Sequence, residues 1–207
     1  MTIALKNKTK KSKRKIILPW YTVLFYLVFL IAEPTGYSTL TLLAAALHEG
    51  GHLLAALLCR VKIQSIRIYP FGAEIRPAPS LRSYGKDAVL ALAGGAVNLL
   101  CALLFFHSPD EKTRFFALSS LTLGLLNLLP VDGLDGGAVL LALLGRRADS
   151  PPFRLLRRGL SFLTLFLLWL GAVYGLLFEN ADPSLFLMVC FLFVTTFLVG
   201  EPSQRQG

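Results

Sequence analysis

The chain has 207 residues, 55% of them hydrophobic and 16% charged, with a mean hydropathy of +0.63. A soluble domain carries roughly a quarter charged residues, so the composition excludes an ordinary water-soluble enzyme and selects a polytopic membrane protein. The net charge of +9 comes from 21 Lys and Arg against 12 Asp and Glu, and its meaning depends on where the basic residues fall.

Six apolar segments follow one another along the chain, at about 16–32, 39–59, 89–106, 115–129, 155–178 and 185–199. The fourth and sixth, near 15 residues, are short for about 30 Å of hydrocarbon, so the fourth is expected to borrow from the broken stretch that follows it. Between the second and third segments, Ile66 and Ile68 alternate with polar residues, and Pro70-Phe71-Gly72 is a turn, which predicts a small β-hairpin at the membrane surface. Seven basic residues precede the first segment, six lie between Arg60 and Lys86, five between Arg146 and Arg158, and Arg205 follows the last, 19 of the 21 in all. In an alternating six-span topology these regions share one side, and the excess of positive charge on cytoplasmic loops then makes both termini cytoplasmic. The basic tail is read as a topology signal lying at the lipid headgroups, without a nucleic-acid partner, and no small-residue cleavage pattern follows the first apolar run. The expected architecture is an all-α polytopic membrane protein of about six transmembrane helices with the β-hairpin between helices 2 and 3. Its core spans 16–199, flanked by cytoplasmic tails at 1–15 and 200–207.

Within the second apolar segment stands His48-Glu49-Gly50-Gly51-His52. On a helix, residues four apart lie on one face, so His48 and His52 have the spacing to hold one Zn²⁺, with Glu49 beside the open position as a base for water. The plainer alternative is that the two histidines hydrogen-bond neighbouring helices. A third ligand decides between these, because polar groups near the centre of a span each cost roughly 2–3 kcal/mol on insertion scales and are kept for function.

Asp135 is the candidate third ligand. It lies in a stretch, Asn127 to Gly137, in which Pro130 removes a helical hydrogen bond and Gly133, Gly136 and Gly137 allow backbone angles closed to other residues. That predicts a broken helix at membrane depth, tolerated only where it is buried in protein or lines a wet cavity. A carboxylate there completes a two-histidine, one-carboxylate set; the alternative is an ordinary Asp-Gly turn. Cys59, Cys101 and Cys190 are widely separated and make neither a disulfide framework nor a metal motif, and His107 falls in an outer loop.

These two patterns, His-Glu-x-x-His at His48 to His52 and Asn-x-x-Pro-x-x-x-Leu-Asp-Gly at Asn127 to Gly136, resemble the site-2 proteases, the intramembrane zinc metalloproteases. The resemblance implies His48, His52 and Asp135 as zinc ligands, Glu49 as catalytic base and acid, and Asn127 as a substrate-backbone contact. Gly94-Gly95-Ala96-Val97-Asn98 is similar to the family's Gly-x-x-x-Asn stretch, although the family more often has Gly-Pro there, and Asn98 is assigned support of the site. Asp132 lies three residues before the assigned ligand, and the Leu-Asp-Gly context favours Asp135. Pro70-Phe71-Gly72 resembles the branch typified by stage IV sporulation protein FB. The implied function is a zinc endopeptidase of regulated intramembrane proteolysis, cutting transmembrane or membrane-adjacent segments of protein substrates in the bacterial cytoplasmic membrane, with a regulatory membrane partner allowed for. Two other readings stand beside it: a catalytically silent membrane scaffold that retains the metal, and a metal transporter. Glu49 disfavours the scaffold, since a structural zinc site has no use for a base, and short loops with a single ligand cluster disfavour the transporter.

Overall fold

The computed structural model describes residues 15–61, 63–69, 72–77, 83–179 and 183–198. The basic tail before Lys15, the hairpin tip at 70–71 and the C-terminal tail at 200–207 lie outside them. The elements run in the order β1 (Lys15–Ile17), α1 (Trp20–Ala32), α2 (Tyr37–Leu58), β2 (Ile63–Tyr69), β3 (Gly72–Pro77), α3 (Tyr84–Phe105), α4 (Glu111–Asn127), α5 (Asp135–Leu144), α6 (Pro151–Phe178) and α7 (Ser184–Phe193). A 3-10 turn, Gly145–Asp149, joins α5 to α6, and a π-helical turn, Val194–Leu198, continues α7.

Three described helices are long and apolar enough to cross a membrane: α2, α3 and α6, of 22, 22 and 28 residues. At 1.5 Å per residue the shorter two reach about 33 Å, enough for a hydrocarbon core of about 30 Å. The other expected segments form shorter helices, α1 of 13 residues, α4 of 17 and α7 of 10. The first is short because its predicted start is not helical: Ile16 and Ile17 belong to β1, and Pro19 stands in extended conformation just before Trp20.

β1 pairs parallel to β2, with Lys15 opposite Ser65 and Ile17 opposite Arg67, while β2 pairs antiparallel to β3, with Ile66 opposite Ile75 and Ile68 opposite Ala73. The fully buried Thr22 donates its hydroxyl to Ile68 O at 3.2 Å and so ties α1 to the sheet.

At the opposite end of the bundle, Gly36 enters α2 at φ +95°, a left-handed conformation that favours glycine. Glu33 accepts from Ser38 N at 2.7 Å and Thr35 N at 2.9 Å, and these bonds, that from Ser38 foremost, hold its carboxyl below the usual range. Lys112 donates to Thr35 O at 2.9 Å and Tyr37 to Glu111 at 2.8 Å, so the α1–α2 turn and the start of α4 share this end.

α3 is the central helix and packs against α2, α4 and α5. Lipid tails are as apolar as leucine, so helices in a membrane gain little by hiding leucines and associate instead through small residues that let backbones approach. That pattern holds here: Leu57, Leu103, Leu143, Leu155 and Leu177 are each at least 69% exposed, whereas the buried positions of α3 are Ala91, Gly94, Gly95, Asn98 and Ala102. Gly51 of α2 lies so close to α3 that a Cβ would stand 2.7 Å from Ala93 O. A cluster of larger side chains forms between α6 and α7, where Leu165 and Val189 enclose Val131 of the α4–α5 connection.

Candidate metal centre

His48 and His52 occupy the buried face of α2 in consecutive turns, as their spacing predicts. The chain then leaves α4 at Asn127, turns through Pro130 and Gly133, and begins α5 with Asp135 as its first residue. Leu134 N bonds Val131 O at 3.0 Å to close the turn, in which Gly133 adopts φ +100°. α5 is a half-length helix, and its N-terminal end favours a negative side chain such as Asp135. Close packing of that end explains the paired glycines. A Cβ at Gly136 would overlap Leu128 O and Leu129 O, and one at Gly137 would overlap Val131 O.

This fold brings Asp135 Oδ2 to 3.0 Å from His48 Nε2 and 3.2 Å from His52 Nε2, with the two ring nitrogens 3.2 Å apart. His52 Nδ1 lies 2.8 Å from Leu90 O, and because a carbonyl only accepts, Nδ1 carries a proton, which leaves Nε2, the nitrogen facing Asp135 and His48, as the ring's ligand atom. The donor set is therefore ring nitrogens and a carboxylate oxygen crowded around one point in a buried site, an arrangement that a cation satisfies. A tetrahedral ion with bonds of about 2.0–2.1 Å separates its ligand atoms by about 3.3 Å, close to the three edges observed. His48, His52 and Asp135 are the candidate metal-holding group among the described residues.

Gly94 of α3 closes the third side of the site. A Cβ there would overlap His52 Nε2 and stand 2.8 Å from His48 Nε2, so only glycine leaves room for both rings. The sequence carried this residue as part of a motif without a stated reason. Glu49 follows His48 on α2 and is half-buried.

The remaining expected residues lie around this group. Asn127, the last residue of α4, donates Nδ2 to Leu123 O at 3.0 Å, one turn back in its own helix. Asn98 is fully buried one turn beyond Gly94, with its Cβ 3.2 Å from where a Cβ of Gly124 would stand, and neither amide atom has a hydrogen-bond partner among the described residues. Asp132 stays out of the cluster and pairs with Arg157 of α6 at 2.8 Å.

A comparison with curated proteins finds no match. Among solved structures the fold is similar to that of the site-2 protease from Methanocaldococcus jannaschii, with a TM-score of 0.63 and 21% identity, covering 96% of this chain and 97% of that one. The sequence matches the peptidase family M50 over residues 38–110 and 108–171, a region that holds α2 through the greater part of α6 and every candidate ligand. By that match the chain belongs to peptidase family M50, the metalloproteases, and its long apolar helices make it a membrane protein.

Proposed function

We propose that the protein is a zinc-dependent intramembrane endopeptidase that cuts transmembrane or membrane-adjacent segments of other proteins. The observation that carries this reading is the convergence of His48, His52 and Asp135 inside the helix bundle, beside a glutamate that no structural metal site requires. Two imidazoles and a carboxylate suit Zn²⁺ and leave its fourth position open. Bound there, the ion supplies Lewis-acid polarisation of a carbonyl and lowers the pKa of water toward about 7. Glu49 takes the proton of the attacking water and returns it to the leaving amine nitrogen. Asn127 binds the substrate backbone: Nδ2 gives one of its two hydrogens to Leu123 O, and its amide oxygen and second N–H are the groups it offers a peptide N–H and carbonyl. Asn98 supports the site from α3.

The helical substrate must be unwound before its peptide bonds can be reached, and an edge of the β1–β2–β3 sheet suits a segment added as a further strand. Six spans, both termini on the cytoplasmic side and residence in a bacterial cytoplasmic membrane complete the proposal, in the branch resembling stage IV sporulation protein FB. The second reading is a silent scaffold that keeps the metal.

The two part on Glu49→Gln, which has nearly the same volume but cannot take a proton. In cells co-expressing a panel of single-span reporter proteins, wild type should cleave at least one. Glu49→Gln should fall by roughly 10²- to 10⁴-fold while retaining zinc. Cleavage surviving both that substitution and chelation removes the protease reading. Stable complexes without cleavage by any form favour the scaffold.

A further inference from the structure

Asp132 is held on three sides. Its carboxylate lies 2.8 Å from Arg157 Nε of α6, its backbone N–H donates to Ser161 Oγ at 3.0 Å, and its carbonyl accepts from Thr196 Oγ1 at 3.3 Å. Ser161 is fully buried and also reaches Pro130 O at 3.5 Å, and Arg157 is only 9% exposed. Val131, next in the chain, is fully buried against Leu165 and Val189. Residues 130–132 are thus the joint through which α6 and α7 grip the connection that carries Asp135.

Burying Arg157 against a partly exposed Asp132 is a costly way to hold a loop, since apolar packing does so without desolvating a charge, and the best-attested use of such a pair is to specify one arrangement. Here the arrangement specified is three residues from the candidate ligand. Between them, the Leu134 N to Val131 O bond closes the turn and Ala138 N to Leu134 O opens α5, leaving the chain little freedom. A displacement of Asp132 is therefore passed to Asp135.

We propose that the Asp132–Arg157 pair, with Ser161 and Thr196 on the Asp132 backbone, is a positioning device that sets the Asp135 carboxylate against His48 and His52. The proposal rests on the metal-site reading above. It makes Arg157 and Asp132 positioning residues, touching neither metal nor substrate.

The test measures Zn²⁺ affinity by competition with a chromophoric chelator, and the visible absorption of the Co²⁺-loaded full-length protein, for wild type, Arg157→Ala, Arg157→Lys, Asp132→Asn and the double variant Asp132→Ala/Arg157→Ala. Loss of a partner that orients a ligand typically costs 10–100-fold in metal affinity. Arg157→Ala should weaken Zn²⁺ binding by that amount and alter the Co²⁺ bands. Arg157→Lys should recover part of the loss, and the double variant should lose no more than the single one. Zn²⁺ affinity within about twofold of wild type and unchanged Co²⁺ bands in Arg157→Ala overturn the proposal, whatever happens to the melting temperature. If that variant does not fold, the same criterion is applied to Asp132→Asn, which keeps the volume and backbone bonds. Wild type that binds neither Zn²⁺ nor Co²⁺ overturns the metal-site reading itself, a result distinct from one in which wild type binds and the variants bind equally well.

Discussion

Gly94→Ala puts one methyl group at the narrowest point of the site. Its Cβ would stand 2.8 Å from His48 Nε2 and nearer still to His52 Nε2, against about 3.5 Å for an unstrained contact, so one or both rings must yield by about 0.7 Å or more. Neither ring yields freely, because α2 already meets Ala93 O of α3 through Gly51 and His52 Nδ1 is tied to Leu90 O. Overpacking of this kind costs about 1–3 kcal/mol, and a misplacement approaching 1 Å at a catalytic centre costs roughly 10²-fold in rate. The expected outcome is a folded protein with Zn²⁺ affinity lowered by about 10–100-fold and cleavage lowered at least as much. The assay is zinc competition on detergent-purified protein, with helical circular dichroism as the check on folding. Gly50→Ala and Gly159→Ala are the controls, since nothing lies within 4 Å of a Cβ at either, and the gain in helix propensity of up to about 1 kcal/mol should leave them as stable as wild type or more so. Gly94→Ala with wild-type zinc affinity and wild-type cleavage refutes the reasoning, for it would mean that the two imidazoles do not meet at this wall.

Each of His48→Ala, His52→Ala and Asp135→Ala should lower zinc content measured by atomic absorption to well below one ion per chain, because a three-ligand site keeps little of its geometry when one is lost; full occupancy in any one of them removes that residue from the ligand set. Asp110, at the N-cap of α4, accepts from Thr113 Oγ1 at 2.6 Å and Thr113 N at 2.8 Å, and these bonds hold its carboxyl below the usual range. A depressed folded-state value stabilises the protein above the unfolded value near 4, and the contribution is lost as pH falls through the folded value. Asp110→Asn, which does not titrate, should therefore unfold at a temperature that differs from wild type more at pH 7 than at pH 2–3, and an unchanged difference across that range contradicts the cap. Reporter fusions at Asp110 should score as external and those at Ser83 and Asp149 as cytoplasmic, because the basic residues concentrate beside the latter two; an external signal at Ser83 reverses the proposed orientation.

Local periodicity and composition were enough to reveal several features of this protein. The apolar excess marked a membrane protein, and the four-residue interval placed His48 and His52 on one helical face, because that interval is a property of a single helix. The breaks at Pro130 and Gly133 were legible for the same reason: they are backbone constraints carried by the residues themselves. Other features depend on which surfaces meet, and no local pattern encodes that. Ile16 and Ile17 read as the start of a span, yet they pair with β2 from far along the chain, since a short apolar run suits a strand as well as a helix. Asp132 and Asp135 are alike as carboxylates three residues apart, and in the sequence only the resemblance of Leu134-Asp135-Gly136 to a motif favours the second. The fold separates them by turning one toward Arg157 and the other toward the two histidines. Gly94 is legible in the sequence only as part of a Gly-x-x-x-Asn stretch, and the reason for it is visible only when α3 is laid against α2, where the two imidazoles fill the space a methyl group would need.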